Sequence, residues 1–111
     1  MNARRLEAVR QRLKTLRLDA LLVTFIPHVR YLTEFSGSNA LAFITRRTQW
    51  FFSDGRYSSQ SREEVKGFRR IITGRGLFQE LRRTARIAAG SRVGIDRRNL
   101  SVAEMQELRL L

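Results

Sequence analysis

Asp54, Gly55, Arg56 and Tyr57 set a carboxylate, a turn residue, a guanidinium and a phenol side by side, one residue after the aromatic run Trp50-Phe51-Phe52. A strand that ends this abruptly in polar groups holds them on a rigid support while letting them project outward, which is where functional side chains tend to sit. Asp54 has the chemistry to brace the turn, Gly55 to allow a sharp bend, and Arg56 and Tyr57 to offer a fixed cation and a hydrogen-bonding aromatic edge. The competing expectation is that Asp54 and Arg56 pair with each other and only hold the corner. Arg30 and Tyr31 form a second candidate pair, with the alternative that Tyr31, beside Leu32, simply anchors its segment to the core.

Other chemistries find little material. A hydrolytic metal site needs several converging His or carboxylate ligands. The chain has one histidine, His28, and ten scattered acids, of which only Glu63 and Glu64 are adjacent, on different sides of their helix. No serine sits on a G-x-S-x-G elbow, so a Ser-His-Asp arrangement has no nucleophile, and His28 is expected to be an ordinary loop residue after Pro27. The absence of cysteine excludes disulfides, zinc thiolate sites and thiol nucleophiles, and fits a cytoplasmic address. Gly74-x-Gly76 between a strand and a helix, with Asp96 beyond the next strand, imitates a dinucleotide-binding βαβ unit. Gln79 stands at the third small position and spoils the imitation. The plainer expectation is a tight strand-to-helix turn that needs flexible backbone.

Charge is the strongest compositional signal. The formal net charge is +12, and 20 of the 22 basic residues are arginine, the residue suited to bidentate contacts with carboxylate or phosphate. A basic nucleic-acid-binding module is therefore the alternative function. Because the arginines are spread along the whole sequence and frame no usual nucleic-acid module, nucleic acid is not the expected partner. They are equally accounted for as decoration of helix faces, or as charge balanced by an acidic segment elsewhere.

The positioning elements follow from hydrophobic periodicity. At 111 residues with 42% apolar content the chain suits one domain, residues 1–111, burying roughly 65% of its unfolded surface. Its longest apolar run falls far short of the ~20 residues that a membrane span requires, and its N-terminus lacks the apolar stretch of a secretory signal, so no membrane partner is expected. Leu6, Val9, Leu13 and Leu16 predict a helix over 3–17. A buried strand over 19–25 follows, then an irregular or short helical stretch ending in a Gly/Ser/Asn cluster. Strands over 40–45 and 49–53, linked by Arg46-Arg47-Thr48, predict a hairpin. Beyond it come a helix over 57–66 closed by Gly67, a strand over 68–73, a helix over 77–89 stopped at Gly90, and a strand over 92–95. A capping box, Ser101 to Glu104, opens a last helix. Alternating helices and strands around one hairpin define an α/β single domain with a mixed β-sheet and a central antiparallel hairpin flanked by helices.

Taken in order, "LDALLVT", "VRYLTEFSGSNALAFIT", "FFSDGRYSSQ" and "RVGID" resemble the N-terminal domain of the creatinase/prolidase/aminopeptidase P family over nearly the whole chain. The stretches at 30–33, 35–38 and 53–57 carry the resemblance together. Two positions depart from the common pattern: His28 replaces a frequent asparagine, and Glu34 a usual glycine, so the turn after Thr33 is expected to differ in backbone conformation. The resemblance implies a non-catalytic N-terminal domain of an Xaa-Pro metallopeptidase, an aminopeptidase P or prolidase-like hydrolase. It implies that this chain holds no cofactor of its own, the divalent metals (manganese, cobalt or zinc) sitting on Asp, Asp, His, Glu and Glu ligands of a C-terminal pita-bread domain. The implied partners are that catalytic domain, neighbouring subunits in a homodimer or tetramer, and the peptide substrate. Asp54, Arg56, Tyr57, Arg30 and Tyr31 are then expected at the substrate cleft or between subunits.

Overall fold

Leu6 and Leu13, seven residues apart, are the buried stripe of α1 (Ala3–Leu16), while Leu16 ends up about half exposed. Arg17 takes a left-handed conformation, φ 55°, and stops the helix one residue before the predicted end. The computed structural model describes residues 3–95. The capping box at 101–104 and the last helix it predicts lie outside the described residues, as does Asp96.

After β1 (Ala20–Val23) the chain forms α2 (Ile26–Thr33), with Pro27 in its first turn, where the missing N–H would have had no helical partner. His28 is thus a helical residue and not the loop residue expected. Glu34 closes α2 in the left-handed conformation, φ 68°, its N–H bonded to the Arg30 carbonyl. The glutamate has therefore adopted the backbone geometry that glycine would favour at a helix end.

β2 (Ala40–Thr45) and β3 (Gln49–Asp54) form the predicted hairpin, in register from Ala40 opposite Ser53 to Ile44 opposite Gln49. Its link is closed by Thr45, whose N–H bonds the Thr48 carbonyl at 2.9 Å and whose hydroxyl accepts the Thr48 N–H at 2.8 Å. A 3-10 turn over Gly55–Tyr57 leads into α3 (Ser58–Glu64). The helix expected over 57–66 is shorter because Val65 turns to an extended conformation, which places a buried apolar side chain against the sheet. β4 (Arg69–Thr73), α4 (Leu77–Ala85) and β5 (Val93–Ile95) complete the described fold. α4 ends four residues earlier than expected, at a left-handed Arg86 with φ 47°.

The sheet order is β4-β3-β2-β1-β5. β2 runs antiparallel to both neighbours, and the remaining pairings are parallel, so the sheet is mixed. Side-chain alternation along β2 supplies two cores. Ala40, Ala42 and Ile44 join Phe51, Leu6, Val29, Leu32 and Val65 under α1, α2 and α3. Leu41 and Phe43 join Leu22, Phe52, Phe78 and Leu81 under α4. Phe51 and Phe52, adjacent in sequence and both fully buried, serve opposite faces, each stabilising the fold by about 1.5–3 kcal/mol.

This topology also disposes of the βαβ imitation. β4 and β5 occupy opposite edges of the sheet, so the chain through α4 crosses over three intervening strands and builds no adjacent parallel pair for a dinucleotide. The turn itself makes no steric demand for glycine, since a Cβ on Gly74 or Gly76 would meet nothing within 4 Å and Gly76 has φ −59°. Among the described residues no helix is long and apolar enough to cross a membrane.

Candidate functional site

β1 and β3 end, and β2 begins, at the same end of the sheet, which gathers their flanking loops there. Asp54, the last residue of β3, is the hub of that end. Its Oδ1 accepts the Arg56 backbone N–H at 2.9 Å and the Arg56 Nε–H at 3.0 Å. Its Oδ2 accepts from a terminal guanidinium nitrogen of Arg56 at 2.9 Å and from the Asn39 amide at 2.6 Å. The Arg56 guanidinium, followed by Asn39, holds the Asp54 carboxyl well below the usual carboxylate range. The bend is made by the 3-10 turn and this carboxylate cap; Gly55 is not sterically required, since an added Cβ would meet nothing within 4 Å.

The pair is asymmetric in exposure. The Arg56 side chain is 70% exposed and that of Asp54 is 22% exposed. Two of the guanidinium's N–H groups are spent on Asp54 in the fork geometry that suits a carboxylate, and the rest face outward. The guanidinium also stands 5.2 Å over the Tyr57 ring. Tyr57 Oη meets the Ser38 hydroxyl at 2.7 Å and accepts the Ser38 N–H at 3.3 Å, contacts that pull the phenol's pKa down.

The loop ahead of β2 is tied to this corner residue by residue. Phe35, fully buried, packs edge-on to both Phe51 and Tyr57 at ring separations of 4.9 and 5.2 Å. Ser36 donates its N–H and hydroxyl to Glu64 at 2.9 and 2.7 Å, which lowers the Glu64 carboxyl pKa, and Gln60 bonds to both. Gly37 has no room for a side chain, because a Cβ there would lie 2.2 Å from the Phe35 ring and 2.8 Å from that of Tyr57. Phe35-Ser36-Gly37-Ser38 and Asp54-Gly55-Arg56-Tyr57 are therefore one assembled unit. Ser38, Asn39 and Glu64 were not singled out from the sequence; the serine and glycine run at 36–38 was the available signal, without a partner to attach it to.

Arg30 and Tyr31 sit differently. Arg30 is exposed on α2, and its charge reaches Glu64, linking it to the loop through Ser36. Tyr31 is 55% exposed, so it does not anchor the segment; Leu32, 5% exposed, does that. The described contacts of Tyr31 run to Arg5 on α1, whose guanidinium lies 4.1 Å over its ring and bonds its carbonyl at 2.7 Å. Beside the corner, Ser38 and Asn39 also line an open cleft of about 320 Å³ shared with Thr24 and the first turn of α4. The corner supplies a preoriented cation and hydroxyls, and no nucleophile-base pair. Among the described residues no three His, Asp or Glu side chains group to hold a metal ion.

The overall α/β fold of this domain is found in solved peptidase structures. The sequence profile of the Creatinase/Prolidase N-terminal domain matches residues 5–111, and the chain belongs to that family. An uncharacterized peptidase of Bacillus subtilis, YqhT, is 34% identical over 97 residues, 87% of this chain and 28% of that protein, so the chain spans under a third of this relative's length. The creatinase/prolidase-like N-terminal domain of a Corynebacterium diphtheriae protein superposes with a TM-score of 0.85 at 34% identity, covering 96% of this chain and 85% of that one. The aminopeptidase P, an Xaa-Pro aminopeptidase, of Streptococcus thermophilus superposes with a TM-score of 0.78, also at 34% identity, covering 96% and 82%.

Proposed function

We propose that this chain is the non-catalytic N-terminal domain of a longer cytoplasmic Xaa-Pro peptidase, and that the Asp54–Arg56–Tyr57 corner helps wall the substrate cleft of that enzyme or its contact with a neighbouring subunit. The metal-dependent hydrolysis belongs to a C-terminal catalytic domain, with manganese, cobalt or zinc. The observation that carries this reading is the posture of Arg56: fixed by a bidentate bond to Asp54, yet 70% exposed at the sheet end. A cation held in this way meets an incoming carboxylate or carbonyl without first losing its own side-chain freedom. Family membership and similarity to peptidase N-terminal domains support the same reading.

The test is Arg56→Ala in the full-length enzyme, with Tyr57→Phe beside it. Loss of a charged donor at the cleft lowers kcat/KM by about 10- to 150-fold. The melting temperature moves little, because an ion pair this exposed adds little to stability. Unchanged kinetics with a lowered melting temperature would overturn the proposal and leave the pair as a corner brace.

A further inference from the structure

The arginines are scattered in sequence, but the sheet collects several of them at the end opposite the Asp54–Arg56 corner. β1 and β5 start side by side there, with Ala20 opposite both Thr45 and Val93. Arg92, immediately before β5, accepts the Asp19 N–H with its carbonyl at 2.8 Å and donates its own N–H to the Asp19 carboxylate at 2.8 Å. Arg46, just past β2, reaches the Leu18 carbonyl with its Nε at 3.1 Å, next to Arg17. Arg86 shares a hollow with Asp19 and Thr45. At the start of β3 and β4, Arg47 and Arg69 line a polar notch of about 320 Å³ with Thr48 and Gln49. Arg17, Arg46, Arg47, Arg69, Arg86 and Arg92 are all exposed. The acid placed among them, Asp19, already has one carboxylate oxygen occupied by the Arg92 N–H.

We propose that this pole binds the sugar-phosphate backbone of a nucleic acid, with phosphates seated in the notch between Arg47 and Arg69. Cations here also suit the helix C-termini that approach this end. Helix dipoles alone do not account for Arg46, Arg47, Arg69 and Arg92, which sit on strand ends and hairpin links. Two features suit the pole to phosphate. The pole is built of arginines, whose planar fork matches phosphate oxygens in pairs. Arg69 is also held in place, since its guanidinium lies 5.1 Å over the ring of half-buried Trp50, its partner in the β3–β4 register, so the fork at the edge of the notch is oriented before a phosphate arrives. Recognition of this kind follows backbone charge and is indifferent to base sequence.

The experiment is fluorescence anisotropy of a labelled DNA duplex and its single strand titrated with the 111-residue chain, at about 50 mM and about 200 mM salt. Neutralising roughly six phosphates predicts a loss of affinity of about 10³-fold between the two conditions. Arg47→Gln with Arg69→Gln is expected to lower the log-log salt slope by about 2, while Arg75→Gln at the opposite end leaves it unchanged. Arg47→Gln alone changes only an exposed link residue, so it reports on binding even if the double variant folds poorly. No binding at low salt, binding indifferent to the Arg47 and Arg69 variants, or competition by polyglutamate as strong as by nucleic acid would each overturn the proposal. The last of these would identify an acidic protein surface as the partner.

Discussion

Ser38 and Tyr57, 19 residues apart in sequence, meet hydroxyl to hydroxyl at 2.7 Å, and their meeting closes the loop before β2 onto the turn after β3. Behind that bond Phe35 and Gly37 fill the space between the Tyr57 ring and the core. The exposed cation of Arg56 thus rests on a support that reaches Phe51 in the centre of the sheet.

Gly37→Ala tests that support. The new methyl collides with two rings, and Phe35, fully buried, is packed between Phe51 and Tyr57. Overpacking of this kind costs about 1–3 kcal/mol. A denaturant titration showing wild-type stability would mean that the loop shifts freely and the unit is not rigid.

Asp54→Asn addresses the pH dependence. A carboxyl whose folded pKa is depressed stabilises the native state above its unfolded pKa of about 3.9, and that stabilisation is lost as pH falls from there toward the folded value. Asparagine keeps a turn-capping oxygen but not the charge that serves the Arg56 guanidinium, the Asn39 amide and the Arg56 N–H together, of which Arg56→Ala removes only the exposed first. The variant should be less stable than wild type at neutral pH, with the gap shrinking as pH drops below about 4. Glu64 and Glu80, both lowered, remain in each protein and cancel in the comparison. A gap that stays constant from neutral to strongly acidic pH would show that the Asp54 charge contributes nothing.

Glu34→Gly should stabilise the domain. Glu34 holds a left-handed φ of 68°, a conformation costing a side-chain-bearing residue roughly 1–2 kcal/mol. Removing that cost, less the extra freedom glycine has when unfolded, should raise the melting temperature by a few degrees, on the order of 4 °C. A lowered melting temperature would show that contacts of the Glu34 side chain outweigh the backbone strain.

Metal binding is the remaining check. With one histidine and no cysteine in the sequence, the 111-residue chain alone should neither hydrolyse an Xaa-Pro peptide nor bind manganese, cobalt or zinc tightly. Calorimetry that found a stoichiometric site in the micromolar range would contradict the division of labour proposed above.

The sequence by itself determined the elements and the chemistry they carry. Leu6 and Leu13 at helical spacing, the two apolar runs around Arg46-Arg47-Thr48, and the polar break at Asp54 are local patterns, and backbone geometry converts them directly into α1, the hairpin and the corner. Helix ends were less legible, since Arg17, Glu34 and Arg86 all take left-handed conformations that their side chains disfavour. Only the tertiary structure decided which patterns meet. Strand order put β4 and β5 on opposite edges, brought Ser38 and Asn39 to Tyr57 and Asp54, and drew six arginines from five places in the chain to one end of the sheet. Such meetings depend on burying two apolar faces of one sheet at once, a condition satisfied by the whole chain together and written in no single segment of it.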